Sequence, residues 1–87
     1  MNRNISVITI NYNDADTTKR FIRRISKYKL LDHIVVVDNH STDDSFKKLK
    51  EITNNKIVLL SSGANKGYGY GNNFGIKYVN EHLIQIL

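Results

Sequence analysis

Four consecutive apolar residues, Ile34-Val35-Val36-Val37, set the tightest limit on how this chain folds. All four are β-branched, which favours extended backbone over helix. A strand sends successive side chains to opposite faces, so an unbroken apolar run needs cover on both sides. That is the setting of a strand in a parallel sheet with helices on both faces. Two further runs suit the same sheet: ISVITI from Ile5 to Ile10, and IVLL from Ile57 to Leu60.

Between the runs the apolar spacing turns helical. Phe21, Ile22, Ile25 and Tyr28 form one stripe, with Asp14 or Asp16 placed to cap its start. Phe46, Leu49 and Ile52 form a second, with caps on offer from Ser41 to Asp43. Ile76, Val79 and Leu83 form a third, and IQIL from Ile84 to Leu87 reads as a fourth strand being entered. Tyr28 and Tyr78 fall on these stripes and are expected in the core. The order β-α-β-α-β-α predicts an α/β fold with a parallel sheet and right-handed crossovers. Residues 1–87 read as one incomplete domain, the front part of a longer protein truncated at its fourth strand.

A domain of 87 residues has a thin core. No cysteine is present, which excludes disulfides and thiolate metal sites. The first residues do not form a signal peptide, and no run reaches the length of a membrane span. Thirteen Lys and Arg against eight Asp and Glu leave a net charge of +5, which favours anionic partners. The basic residues divide between two helical segments, Lys19, Arg20, Arg23, Arg24, Lys27 and Lys29, then Lys47, Lys48 and Lys50. Their plain reading is solvated helix faces. Net charge is all that favours a nucleic-acid-binding domain, since no aromatic-plus-basic strand or helix-turn-helix pattern accompanies it. Nucleic acid is therefore not the expected partner.

Open parallel sheets bind ligands beyond the carboxyl ends of their strands. Those ends deliver Asn11, Tyr12, Asn13 and Asp14, then Asp38, Asn39 and His40, then SSGANKGYGYGNNFG, which holds all five glycines. Asp38 can accept hydrogen bonds from a base imide or a ribose hydroxyl, or serve an Asx-type turn. Tyr12 can lay its ring against a base or pack on the sheet rim. In the glycine stretch, Gly67, Gly69, Gly71 and Gly75 free the backbone for positive φ and for close approach to a ligand. The helix that follows offers amides to an anion. Asn65, Asn72 and Asn73 add donors, and Lys66 adds charge. A diphosphate suits this setting; a mobile loop without ligand is the alternative. The spacing Gly-x-Gly-x-x-x-Gly after Gly69 departs from the dinucleotide fingerprint, and no P-loop occurs. His33, His40 and His82 lack metal-ligand spacing, and no Ser-His-Asp set stands out.

Three stretches in order, VITINYN, IVVVDNHSTDDS and NKGYGYGNNFGI, resemble the N-terminal part of inverting family 2 glycosyltransferases of the GT-A fold. The resemblance is nearest to the rhamnosyltransferase-like branch. It is carried by Val37, Asp38, Asn39, Ser41 and Asp43, then Asn65, Gly67, Tyr68, Gly71, Asn72, Asn73 and Gly75. It implies a nucleotide-sugar site. Asn11, Tyr12 and Asn13 would flank the base, and Asp38 with Asn39 would bind the base imide or the ribose. Asn65, Lys66, Gly67, Tyr68, Gly69, Gly71, Asn72 and Asn73 would lie along the ribose and diphosphate. It further implies a dTDP- or UDP-sugar donor and a glycan or lipid-linked acceptor in surface polysaccharide synthesis. Mg²⁺ or Mn²⁺ is implied for the full-length enzyme. The implied location is cytoplasmic, at the inner face of the membrane where the acceptor is lipid-linked. No residue matches the family's Asp-x-Asp-like metal motif or its general base, and both are expected beyond Leu87. The 87 residues alone are therefore expected to be inactive in transfer. A non-catalytic nucleotide-binding module of flavodoxin or Rossmann type is the alternative.

Overall fold

The computed structural model describes residues 5–83. The chain runs β1 (Ser6–Asn11), α1 (Ala15–Ile25), β2 (His33–Asp38), α2 (Ser45–Lys50), β3 (Ile57–Ser61) and α3 (Tyr68–Tyr78), then a π-helical turn, Val79–Leu83. The three strands are parallel, in the order β1-β2-β3. This is an α/β, Rossmann-like arrangement. The register sets Asn11 beside Asp38 and Asp38 beside Ser61, so the carboxyl ends of all three strands are level.

The central strand is covered on both faces, as its composition requires. Ile34, Val35, Val36 and Val37 are each at most 1% exposed. Ile34 and Val36 pack with Ala15, Ile22 and Ile25 of α1 and Leu49 of α2. Val35 and Val37 pack with Val79, Ile8 and Ile10 on the other face. Burying each such side chain contributes about 1.5–3 kcal/mol. The helices therefore split, with α1 and α2 on one face and α3 on the other.

Local chemistry sets the helix ends. Asp14 caps α1, accepting the Thr17 N–H at 3.4 Å, while Arg23 and Arg24 lie in its last turn. Basic side chains there complement the helix dipole. At the start of α2, Asp43 Oδ1 accepts the Ser45 N–H at 2.9 Å. Ser41, a cap candidate from sequence, instead turns toward Asp38.

Three expectations need correction. The glycine stretch is loop only as far as Gly67; from Tyr68 it is helix. Positive φ occurs at Gly63 (+78°) and Gly67 (+88°), but not at Gly69, Gly71 or Gly75. Gly71 and Gly75 serve close approach to the sheet instead. A Cβ at Gly75 would lie 2.6 Å from Ile8 Cγ2, and one at Gly71 would lie 3.1 Å from Ile10 Cδ1. Two glycines one turn apart thus let α3 settle directly onto β1. Second, Tyr28 lies past the end of α1 and is 60% exposed. Third, Ile76 is 47% exposed, because the glycine side of α3 faces the sheet, not the side with the large apolar residues. Tyr78 is half-buried against the second core cluster. The expected entry to a fourth strand, residues 84–87, lies outside the described residues. Among the described residues, no helix is long and apolar enough to cross a membrane.

Candidate functional site

The level strand ends bring polar side chains together at one rim of the sheet. Asn11 (1% exposed) and Asp38 (3%) sit deepest. Asn11 Nδ2 donates to Asp38 Oδ1 at 2.9 Å, and Asn11 Oδ1 accepts the Thr18 hydroxyl at 2.7 Å. Ser41 closes the set. Its hydroxyl donates to Asp38 Oδ1 at 2.6 Å and its amide to Asp38 Oδ2 at 3.0 Å. A buried carboxylate needs such partners, since burial without them costs several kcal/mol. Asp38 thus forms the Asx-type turn that opens the β2–α2 loop, and it ties that loop to β1.

Asn13 extends the same bracing. It holds a left-handed φ of 52°, which asparagine tolerates better than most residues. Its Oδ1 accepts the Thr42 N–H at 2.8 Å and the Asp43 N–H at 3.2 Å. Asp43 is held below its ordinary carboxylate range by Ser45, through the facing hydroxyl and then the backbone amide. The hydroxyl falls short of hydrogen-bond geometry, so the 2.9 Å amide contact is the sound one.

Asn39 links β2 to the glycine stretch. Its Nδ2 donates to the Gly67 carbonyl at 3.0 Å, and its Oδ1 accepts the Ser62 hydroxyl at 2.6 Å. Gly67 thereby becomes a fixed point at the N-terminus of α3. No side chain caps that terminus, so its first-turn amides are left for a ligand or solvent. Tyr70 steadies the loop from above, its hydroxyl donating to the Ser62 carbonyl at 3.3 Å. The Lys66 ammonium lies 5.4 Å from the Tyr70 ring centre.

These constraints leave a cleft of about 110 Å³ lined by Ile10, Tyr12, Asn39, Asn65, Gly67 and Tyr68. Complete small-molecule pockets run to roughly 300–1,000 Å³, so this one admits a single ring-sized group. Tyr12 (42% exposed) and Tyr68 (73%) supply aromatic surface beside the amides of α3. The arrangement is suited to a planar ring next to an anion.

Of the residues singled out from sequence, Tyr12, Asn39, Asn65, Gly67 and Tyr68 therefore meet at the cleft. Asn11 and Asp38 lie beneath, bonded to each other, and Asn13 is turned to the 41–43 loop. Lys66 sits over Tyr70. Gly69, Asn72 and Asn73 are exposed on α3 and do not line the cleft, and Gly71 is buried against β1. Sequence reasoning missed Thr18 and Ser62 as supports and Ile10 as a cleft wall. A lone hydroxyl residue carries no pattern that marks it as a support. Among the described residues, no group of three or more His, Cys, Asp or Glu stands together as a metal site.

Residues 6–87 match the family model described as Glycosyl transferase family 2. The chain is also 35% identical over 80 residues to the low-salt glycan biosynthesis hexosyltransferase Agl10 of Haloferax volcanii. That alignment covers 91% of this chain and 24% of the relative, so the chain spans about a quarter of the length of the curated relative it matches. No solved structure matches the chain.

Proposed function

The chain belongs to glycosyl transferase family 2, and on that premise we propose that it forms the donor-nucleotide part of a hexosyltransferase. The observation that carries this reading is the cleft at the carboxyl ends of β1 and β2, where Tyr12, Asn39, Asn65, Gly67 and Tyr68 converge. The donor is a nucleoside diphosphate sugar with a dTDP or UDP carrier. Tyr12 and Tyr68 hold the base between them. Asn39 and Asn65 face the ribose, and the open amides of α3 take the diphosphate. Asp38 and Asn11 hold the two strand ends at fixed separation and so position Tyr12 against Asn39.

In the complete enzyme an acceptor hydroxyl, on a glycan or a lipid-linked glycan, displaces the nucleoside diphosphate from the anomeric carbon with inversion. The base that removes the hydroxyl proton is not among the residues of this cleft, which holds no His, Asp or Glu. The chain alone is therefore expected to bind donor nucleotide without transferring sugar.

The test is an amide-resolved NMR titration of the chain with dTDP, UDP and GDP, with and without Mg²⁺. Shifts should gather at Tyr12, Asn39 and the amides from Asn65 to Tyr70, with one base preferred. A dispersed spectrum that none of the three nucleotides alters would sink the donor-site reading.

A further inference from the structure

The opposite end of the sheet carries a different surface. α1 runs back against the strands, so its C-terminus and the turn to β2 lie at the amino ends of β1 and β2. There an apolar groove of about 490 Å³ opens between Ile5, Val7, Ile25, Tyr28, Leu30 and Leu31, with Lys29 on its rim. Leu30 is 75% exposed and Tyr28 is 60% exposed. Together with the half-open Ile5 they make one contiguous apolar patch rather than scattered single residues.

The turn that presents them is built, not loose. The Tyr28 amide donates to the Ile25 carbonyl at 3.0 Å, and the Leu31 amide to the Tyr28 carbonyl at 3.2 Å. Lys56 reaches across from the start of β3, its ammonium donating to the Ser26 and Tyr28 carbonyls at 2.9 and 3.1 Å. These bonds hold the backbone of the turn while the side chains of Tyr28 and Leu30 stand outward.

The surrounding charge has one sign. Six basic side chains and no acidic one lie between Thr17 and Leu31. Arg20, Arg23 and Arg24 form an exposed stripe at helical spacing that leads into the turn, and Lys27 and Lys29 alternate with Tyr28 and Leu30. Among the described residues the ion pair present is Lys48–Asp44, and none of these six takes part in one. The nearest carboxylates in sequence are Asp16, in the first turn of α1 at the end away from this turn, and Asp32, which is engaged with the Ile5 amide at 3.0 Å. Unpaired cations flanking outward apolar side chains match a surface that is anionic above and apolar below.

We propose that the α1–β2 turn is a docking surface for an anionic lipid bilayer. Tyr28 and Leu30 enter the interface, Lys27, Lys29 and the α1 arginine stripe contact the head groups, and Lys56 keeps the turn in shape. This leaves the cleft at the other end of the sheet open. The inference does not depend on the donor-site reading, since the two surfaces share no residue.

Vesicle co-sedimentation of the full chain tests it. Phosphatidylcholine vesicles with about a third phosphatidylglycerol should retain the chain at low salt, and pure phosphatidylcholine vesicles should not. Lys27→Gln with Lys29→Gln should weaken binding about 30-fold, at about fivefold per lysine near the surface. Tyr28→Ser with Leu30→Ser leaves the charge unchanged and should weaken it at least about tenfold. All four positions are exposed, so circular dichroism should show native helix in both variants. Equal binding by the Tyr28/Leu30 variant would overturn the proposal, because attraction would then be charge alone. So would indifference to both vesicle types, or tighter retention on duplex DNA than on anionic vesicles through the same lysines.

Discussion

Gly75 shows how much rests on one missing methyl group. A side chain there would meet Ile8 Cγ2 at 2.6 Å and Val37 Cγ2 at 3.2 Å. Gly75→Ala should lower stability by about 1–3 kcal/mol, since overpacking outweighs the gain in helix propensity. Gly69→Ala is the matched control. It sits in the same helix with nothing within 4 Å of its Cβ position, so it should raise stability by about 0.5 kcal/mol. Urea unfolding of the two variants reads both signs. Asp38 is the other pivotal residue. Asp38→Ala would leave the buried Asn11 amide with only its 3.3 Å bond to the half-buried Ser41 hydroxyl, and should cost about 1–3 kcal/mol by the same measurement. Sequence placed both residues in the right segment but misread Gly75. An isolated glycine looks the same whether it supplies a positive φ or makes room for a neighbour, because the neighbour belongs to another element.

At the scale of elements, α2 is short and depends on its start. Its six residues carry one buried apolar side chain, Leu49, and the Ser45 amide is held by Asp43. Asp43 has its carboxyl value lowered by Ser45 in the folded chain. A lowered folded value means that the contribution is intact above the unfolded value, about 4. It is lost as pH falls through the lower folded value. Asp43→Asn should therefore narrow the gap between stability at about pH 6 and at about pH 2.5, as measured by urea unfolding. The helices were legible because apolar spacing depends only on local geometry, although Phe21 and Phe46, placed on the stripes, are exposed at 38% and 37%. The extent of each helix was less so. Tyr28 continues the stripe of α1, yet the helix stops at Ile25 and Lys56 binds the carbonyls that follow. A contact from a residue so far along the chain leaves no trace in the local pattern.

For the whole molecule, stability is centred on β2, which has a strand on each side and a helical layer on each face. Its amides from Ile34 to Val37 should exchange with solvent most slowly, at the rate of global unfolding, while those of α3 exchange sooner. Hydrogen exchange followed by NMR checks this ranking. The α/β class, the parallel sheet and the rim that carries the cleft were all determined by the sequence alone. An unbroken β-branched run can be buried in few ways, and strands alternating with helices force crossovers of one hand. The tertiary structure decided what each polar residue at that rim does. It turned Asp38, Asn11 and Asn13 into braces, kept Tyr12, Asn39, Asn65 and Tyr68 at the cleft, and put Asn72 and Asn73 outside it. It also set Tyr28 and Leu30 in the open beside a basic stripe. The physical reason is one of range. Periodicity and propensity act between near neighbours, whereas a hydrogen bond from Asn11 to Asp38, or a glycine against Ile8, exists only after distant segments have met.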